Sequence, residues 1–251
     1  MNTTRDMSPG VSEYLLAFAD DEHMVGSHLA WWIGVAPFLE EDLSLCSIAQ
    51  DELGHAIALY ELLTDDVDHF ALRRDPTEYR SCSFAEVAMP KWENTLVRHW
   101  LHDIAEDIRW NALLDSTAAG VPAIAQRALS EEKFHRTHST LLLQRSLTGS
   151  SEARDRLVAS MESLLPQSMT LWSPVAGEIE AVATGVTSMT SAEAANRYAE
   201  TVRADLENWN VSVSWDLQSA PENDRLSRVE GFSDFQASLN LVLDLDPNAE
   251  W

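Results

Sequence analysis

Two short segments of this chain carry the same pattern of metal-binding side-chain types. Residues 51–55 read Asp-Glu-Leu-Gly-His, and residues 131–135 read Glu-Glu-Lys-Phe-His. In both, a Glu precedes a His by three positions within a stretch of helical periodicity, so the two side chains share one face of a helix. One such step arises by chance in any acidic helix. Two of them on separate helices favour a fold that brings both faces together.

Hydrophobic periodicity divides the first part of the chain into long helices. Gly34 and Pro37 end the first helix, and an Ala-Gly-Val-Pro turn at 119–122 separates the third from the fourth. A polar linker joins the two pairs, and Pro90 is expected in the first turns of the third helix or at a kink. The predicted helices cover 11–33, 38–64, 84–117 and 122–147, and the linker covers 65–82.

The last hundred residues are less regular. A capping box formed by Thr190 and Glu193 predicts the start of a sixth helix that ends near 209. A fifth helix is predicted before it, and a polar segment and a final apolar segment follow it. These elements are the fifth helix at 151–165, a loop at 171–187, the polar segment at 218–227 and the apolar segment at 232–245.

The doubled Glu-x-x-His pattern predicts a particular all-α fold. Two helices of this kind, with one carboxylate from each of two others, form the di-iron or di-manganese centre of ferritin-like bundles. The short connections within each helix pair predict antiparallel hairpins. We therefore expect a ferritin-like four-helix bundle with additional C-terminal helices. The predicted single domain spans 1–251, with a metal-binding bundle at 1–149 and a helical extension at 150–251.

Each of the first and third helices has to supply one acid to such a centre. In the first helix Glu22 lies about as far from the shared turn as Glu52 does in the second, roughly 20 Å at about 1.5 Å per residue. Asp20 and Asp21 are alternatives, but they point elsewhere by about 100° per residue. The predicted ligands, which are also the predicted catalytic residues, are Glu22, Glu52, His55, Asp103, Glu132 and His135.

The third helix offers Asp103 and Glu106 on one face. Asp103 precedes Glu132 by 29 residues, close to the 30 residues between Glu22 and Glu52, as two similar hairpins would require. This similarity favours Asp103, whereas counting from the turn favours Glu106. Both alternatives remain open on spacing alone.

The acids that precede each Glu-x-x-His step have a predicted role of their own. Asp51 and Glu131 lie four residues before His55 and His135, on the same side of each helix. Because a metal-bound imidazole usually donates its other N–H to a carboxylate, we expect Asp51 and Glu131 to bond these histidines, either within one helix or across to the other. The other nearby histidines are expected to be packing or surface groups, and four tryptophans could line a substrate cavity. These are His23, His28, His99, His102 and His138, and Trp31, Trp32, Trp100 and Trp110.

Composition excludes several classes of protein. Asp and Glu outnumber Lys and Arg by 41 to 17, and a net charge of −24 argues against a nucleic-acid partner. The polar N-terminal residues and the lack of a long apolar run predict a cytoplasmic protein without a membrane span. Two cysteines are too few for a disulfide framework or an iron–sulfur cluster. The acidity fits either a solvated surface or adaptation to high internal salt.

Four segments resemble the phenylacetic acid catabolic protein family, the ferritin-like subunits of the multicomponent phenylacetyl-CoA epoxidase. They are Ala-Pro-Phe-Leu-Glu-Glu-Asp at 36–42, Trp-Leu-His-Asp at 100–103, Arg-Ala-Leu-Ser-Glu-Glu-Lys-Phe-His at 127–135, and the closing Pro to Trp at 247–251. The similarity runs nearly end to end. In the family's metal-bearing subunit an aspartate stands at the matching place on the third helix, which supports Asp103 as the ligand.

The resemblance also implies partners. The chain resembles the smaller helical subunit in length, and in the family that subunit usually lacks the ligands while the larger one holds iron. Because this chain has the full ligand set, we expect a catalytic paralogue that forms a homodimer or a hetero-oligomer with further oxygenase subunits. The family's substrate would be an aryl-CoA thioester.

The resulting hypothesis is a di-iron monooxygenase of the epoxidase or hydroxylase type. Two iron ions, or manganese, would use O2 to insert one oxygen atom into an aromatic or unsaturated acyl substrate. Electrons would come from a separate NAD(P)H-dependent reductase, because the chain has no nucleotide-binding G-x-G-x-x-G motif. Two alternatives are ferritin-like iron oxidation or storage, and a non-catalytic structural subunit of an epoxidase-like complex.

Overall fold

The computed structural model describes residues 7–215 and 220–246, and all regular structure in this part of the chain is helical. The closing segment at 247–251, the first six residues and the start of the polar segment at 218–219 lie outside the described residues. The ten α-helices found there are α1 (Pro9–Ala30), α2 (Leu39–Leu63), α3 (Val67–Leu72), α4 (Ser83–Glu86), α5 (Trp92–Leu113), α6 (Val121–Leu147), α7 (Ser151–Ser168), α8 (Glu178–Ala183), α9 (Ser191–Asn208) and α10 (Phe232–Leu245). Among these described helices, none is both long enough and apolar enough to cross a bilayer.

Four of the helices form the predicted bundle: α1 pairs with α2, and α5 pairs with α6. The connection between α1 and α2 is held in one shape, because the Gly34 amide donates to Asp42 Oδ1 at 2.5 Å. Gly34 has a φ of +84°, a conformation that favours glycine and lets the chain turn sharply after α1. The prediction of an all-α, ferritin-like bundle with additional C-terminal helices is confirmed.

The third predicted helix, at 84–117, is not continuous. The short helix α4 ends at Glu86, residues 87–91 are non-helical, and α5 begins at Trp92. Pro90 explains the break, because proline lacks the amide hydrogen that a helix needs and disfavours the helical conformation of the residue before it. Two segments expected to be irregular also contain short helices: α3 lies within the linker at 65–82, and α8 lies within the loop at 171–187.

Predicted helix boundaries elsewhere agree to within a few residues. The capping box at the start of α9 is present: the Glu193 amide donates to Thr190 Oγ1 at 3.2 Å, and the Thr190 amide donates to Glu193 Oε2 at 2.8 Å. Helix α7 extends to Ser168 rather than ending at 165, with Pro166 in its last turn. The final apolar segment forms α10, as its pattern indicates.

Helices α1 and α5 form the middle of the fold. Nearly every residue of α1 between Leu15 and Leu29 is buried, and α5 is buried to a similar degree. The additional helices explain this, since α4 and α8 pack on α1 while α7 and α9 pack on α5. Helices α2 and α6 lie on the other side and bury a smaller part of their length. Side chains on α1 and α5 are therefore shielded from water.

A buried ion pair joins Arg225, in the segment before α10, to Asp21 of α1. Arg225 donates to both carboxylate oxygens of Asp21, at 2.9 and 3.0 Å, and Arg109 lies 2.9 Å from the same carboxylate. The backbone amide of Cys82 donates to Asp21 as well, at 2.8 Å. Burial alone would raise the pKa of Asp21, but Arg225 and Arg109 lower it to about 2. Asp21 thus joins three distant parts of the chain at one point.

Removal of the Arg225 guanidinium should destabilise the fold. We expect Arg225→Met to lower the free energy of unfolding by about 3 kcal/mol, because it leaves a buried carboxylate with fewer partners. Urea unfolding at neutral pH measures the change. The control is Arg156→Met, which removes an exposed pair with Glu152 and should cost less than about 1 kcal/mol. Equal losses in the two variants would contradict the assignment.

The stabilisation that the Asp21–Arg225 ion pair contributes should depend on pH. A carboxyl with a lowered pKa stabilises the fold above its usual pKa of 3.8, and this contribution is lost as pH falls towards about 2. We therefore expect the difference in stability between the natural chain and Arg225→Met to narrow over that pH range. A difference that stays constant over the range would show that the pair is not its source.

Candidate metal centre

Carboxylates and imidazoles from four helices converge inside the bundle. Glu22 of α1, Glu52 and His55 of α2, and Glu106 of α5 each place a possible ligand atom within 4.8 Å of the others. All four side chains are buried. Periodicity explains the local part of this arrangement, because Glu52 and His55 share one face of α2. Packing of α1 against α2 supplies Glu22.

Two further groups extend this cluster. Glu132 and His135 of α6 lie with Glu52, and Glu132 also lies with Asp103 and Glu106, in each case within 4.8 Å. The structure therefore brings together the six residues predicted from sequence, Glu22, Glu52, His55, Asp103, Glu132 and His135, and adds Glu106. Glu52, Glu106 and Glu132 each belong to two groups, so they lie at the centre of the arrangement.

Both histidines direct their Nδ1 atoms towards the carboxylates. His55 Nδ1 lies 3.5 Å from Glu22 Oε2 and 3.7 Å from Glu52 Oε2. His135 Nδ1 lies 3.0 Å from Glu132 Oε1 and 3.6 Å from Glu52 Oε1. The two imidazole centroids are 6.5 Å apart. Each ring thus presents one nitrogen to the shared interior and the other to the outside.

The outward nitrogens bond the acids predicted for them. His55 Nε2 lies 2.8 Å from Glu131 of α6, and His135 Nε2 lies 3.3 Å from Asp51 of α2. The bonds cross between the two helices instead of staying within one, which resolves the alternative left open by the sequence. They fix the orientation of each ring and, since a carboxylate accepts, favour a proton on Nε2. The Nδ1 atom is then available as a ligand.

Helix α5 contains a second set of His–acid pairs that the sequence analysis missed. His102 Nδ1 lies 2.7 Å from Glu106, and His99 Nδ1 lies 2.9 Å from Asp103. Ser139 of α6 also donates to Asp103, at 2.5 Å. Both histidines are buried beside candidate ligands, contrary to the expectation that they are packing or surface groups. Their position four residues before each acid was the available signal.

Electrostatics divides the carboxylates into two kinds. Burial, together with the negative charge of Glu106, raises the pKa of Glu22, Glu52 and Glu132 well above the usual range. Burial acts on Glu106 in the same direction, but the neighbouring His102 and hydrogen bonds hold the pKa of Glu106 well below its usual value. Without cations beside them, these three carboxyl groups are therefore driven towards their neutral forms, whereas Glu106 stays ionised.

Many possible ligand atoms of this cluster form no hydrogen bond of good geometry with the described residues, although two of the oxygens lie 2.9 and 3.0 Å from an imidazole nitrogen. They comprise both carboxylate oxygens of Glu22, Glu52 and Glu132, one oxygen each of Asp103 and Glu106, and Nδ1 of His55 and His135. Buried polar atoms are almost always bonded, so such a concentration needs an explanation. Two divalent cations would satisfy them, because carboxylate oxygens and imidazoles are the usual ligands of iron and manganese. The residues present thus fit the metal ions that the sequence predicts.

The other acids of α1 point away, as expected. Asp20 accepts from Tyr60 at 2.6 Å and from the Arg80 amide at 2.6 Å, and Arg74 is paired with it. Asp21 belongs to the arginine cluster described above. Three consecutive acids on one helix therefore serve three separate sites.

The surroundings of the cluster are largely apolar. The Trp110 ring lies 5.4 Å from His55 and 4.4 Å from Phe18, measured between centroids. A surface cleft of about 210 Å³ between α2 and α6 reaches His55, with Arg127 at its edge. Of the tryptophans considered for a cavity, Trp110 contacts the site. The others are elsewhere: Trp32 packs on Trp92, Trp100 donates to Asp205, and Trp31 is exposed.

Two comparisons with known proteins found a match for this chain. One of the subunits of 1,2-phenylacetyl-CoA epoxidase from Escherichia coli (strain K12) is 24% identical over 159 residues, which cover 61% of this chain. The match spans 64% of the length of that relative, slightly less than two thirds. The family model for the phenylacetic acid catabolic protein matches residues 2–251, practically the whole chain. The chain belongs to the phenylacetic acid catabolic protein family.

Proposed function

We propose that this chain is the metal-bearing component of an oxygenase that inserts one oxygen atom from O2 into an aromatic or unsaturated acyl substrate. The observation that carries the proposal is the doubled Glu-x-x-His arrangement, whose buried donor atoms lack hydrogen-bond partners among the described residues. The family supports it, since a relative is named as a subunit of an epoxidase. Fold alone does not fix the reaction, so the side chains have to carry the assignment.

The three groups suggest how two ions would be held. One ion would bind Glu22, Glu52, His55 and Glu106, and the other would bind Glu52, Glu132 and His135. Glu52 belongs to both groups, so its carboxylate would be available to either ion. Asp103 would complete the second site through its group with Glu106 and Glu132. This assignment keeps all six residues predicted from sequence and adds Glu106.

When bound, two iron ions would supply the redox chemistry that reduces O2, one atom entering the substrate and the other leaving as water. The chain's own residues prepare this chemistry. Glu131 and Asp51 hold the imidazoles in one orientation, and His102 holds one oxygen of Glu106. Burial of α1 and α5 excludes water from the reacting groups, and Trp110 closes the apolar side next to His55.

Further components would complete the reaction. Electrons would come from a separate NAD(P)H-dependent reductase, since the sequence has no nucleotide-binding motif and only two cysteines. The name of the relative suggests phenylacetyl-CoA or a similar aryl-CoA thioester as substrate, acted on together with further subunits. The cleft that reaches His55 would admit the apolar part of such a molecule.

One alternative has an observation in its favour. The relative is a subunit of a multicomponent enzyme, so this chain could support a partner without binding metal. Ferritin-like iron oxidation or storage is a further alternative, which a shell of about 12 or 24 copies would favour. Metal content separates the first alternative from the proposal, and native mass separates the second.

Metal binding is the first test. The chain loaded anaerobically with ferrous iron should bind about two ions. His135→Ala should lower the affinity by more than the roughly 10- to 100-fold loss expected for a residue that only hydrogen-bonds a ligand. Elemental analysis after gel filtration measures the content. His69→Ala, which changes an exposed histidine of α3, should bind iron like the natural chain. Fewer than about half an ion per natural chain would revive the non-catalytic alternative.

A second test separates the two acids of α5. We expect Glu106→Gln to weaken iron binding more than Asp103→Asn, because Glu106 belongs to two of the groups and Asp103 to one. Asp103 also has a neighbour at each of its oxygens, Ser139 at 2.5 Å and His99 at 2.9 Å. Titration of each folded variant with ferrous iron measures the affinity. The opposite order would restore Asp103 as the principal α5 ligand.

A third test addresses the reaction. Iron-loaded chain with a phenylacetyl-CoA epoxidase reductase and ¹⁸O₂ should transfer one labelled atom to phenylacetyl-CoA, detected by mass spectrometry. Free phenylacetate, assayed in parallel, shows whether the thioester is required. Glu52→Ala should abolish the labelled product, because it removes a carboxylate that belongs to two of the three groups. Iron-loaded chain that labels neither compound, even with the partner subunits added, would contradict an oxygenase acting on this substrate class.

A further inference from the structure

A glycine of α1 lies at a point of close contact with α2, next to a candidate ligand. Gly26 is buried, and its Cα faces the backbone of α2. A methyl group added to this Cα would lie 2.9 Å from Glu52 Cβ, 3.0 Å from Leu53 Cγ and 3.1 Å from the Leu53 backbone nitrogen. Carbon atoms in contact prefer a separation of about 3.5–4.0 Å. Any residue larger than glycine would therefore have to displace its surroundings.

The position of Gly26 relates it to two turns of the candidate centre. It follows Glu22 by four residues, which is about one turn of α1. Glu22 Oε2 lies 3.5 Å from His55 Nδ1, and Gly26 meets Glu52, one turn earlier in α2. Both residues of α1 thus face α2, in an antiparallel register. The same face of α1 presents a carboxylate at one level and no side chain at the next.

Helix α1 is held in place more firmly than α2. Sixteen of the 22 residues of α1 are buried, against nine of the 25 residues of α2. Helices α4 and α8 pack on α1, and Asp21 joins it to Arg225 through two hydrogen bonds. A larger residue at position 26 would therefore move mainly α2, and Glu52 and His55 would move with it.

We propose that Gly26 is a positioning residue of the metal centre, because its lack of a side chain sets the distance from Glu22 to the ligands of α2. This inference rests on the metal binding of the proposed function. Restoring a normal contact at Gly26 requires a displacement of about 0.5 to 1 Å. Ligands have to be placed within about 0.5 Å of the working geometry, whereas a helix pair can absorb such a shift. The centre should thus be more sensitive to this change than the fold.

A second glycine provides a matched control. Gly54 lies in α2 between Glu52 and His55, closer in sequence to the candidate ligands than Gly26 is. A methyl group added there would lie 3.7 Å from Arg127 Nη2, an ordinary contact. Alanine at position 54 should therefore leave α2 in place. The two changes are chemically identical and differ only in what faces the new methyl group.

Anaerobic titration of the full chain with Fe²⁺ tests the proposal. We expect Gly26→Ala to bind iron at least about 10-fold more weakly than the natural chain, and Gly54→Ala to bind it as the natural chain does. Co²⁺ added in place of iron should give a changed visible absorption spectrum in Gly26→Ala, because ligand geometry determines that spectrum. An unchanged affinity or an unchanged spectrum would overturn the proposal and leave the proposed function intact. A natural chain that binds no metal would overturn both.

A stability control separates positioning from a general loss of packing. Met161→Ala removes a buried side chain from α7, a helix without candidate ligands. It should lower the urea midpoint without weakening iron binding. If Met161→Ala binds iron as weakly as Gly26→Ala, destabilisation is sufficient to explain the loss and the positioning role is wrong.

A double variant keeps the test decisive if circular dichroism shows that Gly26→Ala does not fold. Gly26→Ala with Leu53→Ala removes the contact with Leu53 Cγ but keeps the contact with Glu52 Cβ. It should fold more readily than Gly26→Ala and still bind iron weakly. Leu53→Ala alone should bind iron like the natural chain. Full recovery of the affinity in the double variant would overturn the proposal, because the contact with Glu52 would then have no effect on the metal.

Discussion

The interior of this bundle concentrates carboxyl groups where water does not reach them. Glu22, Glu52, Asp103, Glu106 and Glu132 are all buried, and their groups overlap through shared carboxylates. Carboxylates this close repel one another, and burial adds to the cost of each charge. The imidazoles around them supply at most part of the compensating charge. Two bound cations would remove the conflict, and this is the physical reason to expect metal ions at this site.

The fold directs acids that are neighbours in the sequence towards different sites. Successive residues on α1 turn by about 100°, so Asp20, Asp21 and Glu22 face three different directions. Asp20 meets Arg74 and Tyr60, Asp21 meets Arg225, and only Glu22 enters the cluster. Each of the first two acids receives its own cation and ties a distant segment to α1. The same helix thus supplies both a candidate ligand and the anchors that hold the covering layer over it.

Helical periodicity explains which parts of the site can be predicted from the sequence. Spacing within a helix places Glu52 with His55 and Glu132 with His135, and counting from the turns brings Glu22 to the same height. Spacing does not decide between two acids one turn apart, because Asp103 and Glu106 share a face and differ only in depth. The contacts of His99 and His102 depend on which face of α5 meets its neighbours, and that is set by long-range packing. Likewise, Pro90 accounts for the interruption of the predicted third helix, whereas the position of α4, which packs on α1, depends on long-range contacts.

Retention of the cluster favours a catalytic role over a supporting one. A subunit that only supports a partner gains nothing from buried carboxylates without hydrogen-bond partners, and apolar residues of similar size would make it more stable. Such unfavourable groups persist where function requires them. The same reasoning extends outward, because the bonds to His55 and His135 come from Glu131 and Asp51, which are only about a quarter exposed. These two carboxylates hold the imidazoles in the orientation that a catalytic metal centre would need.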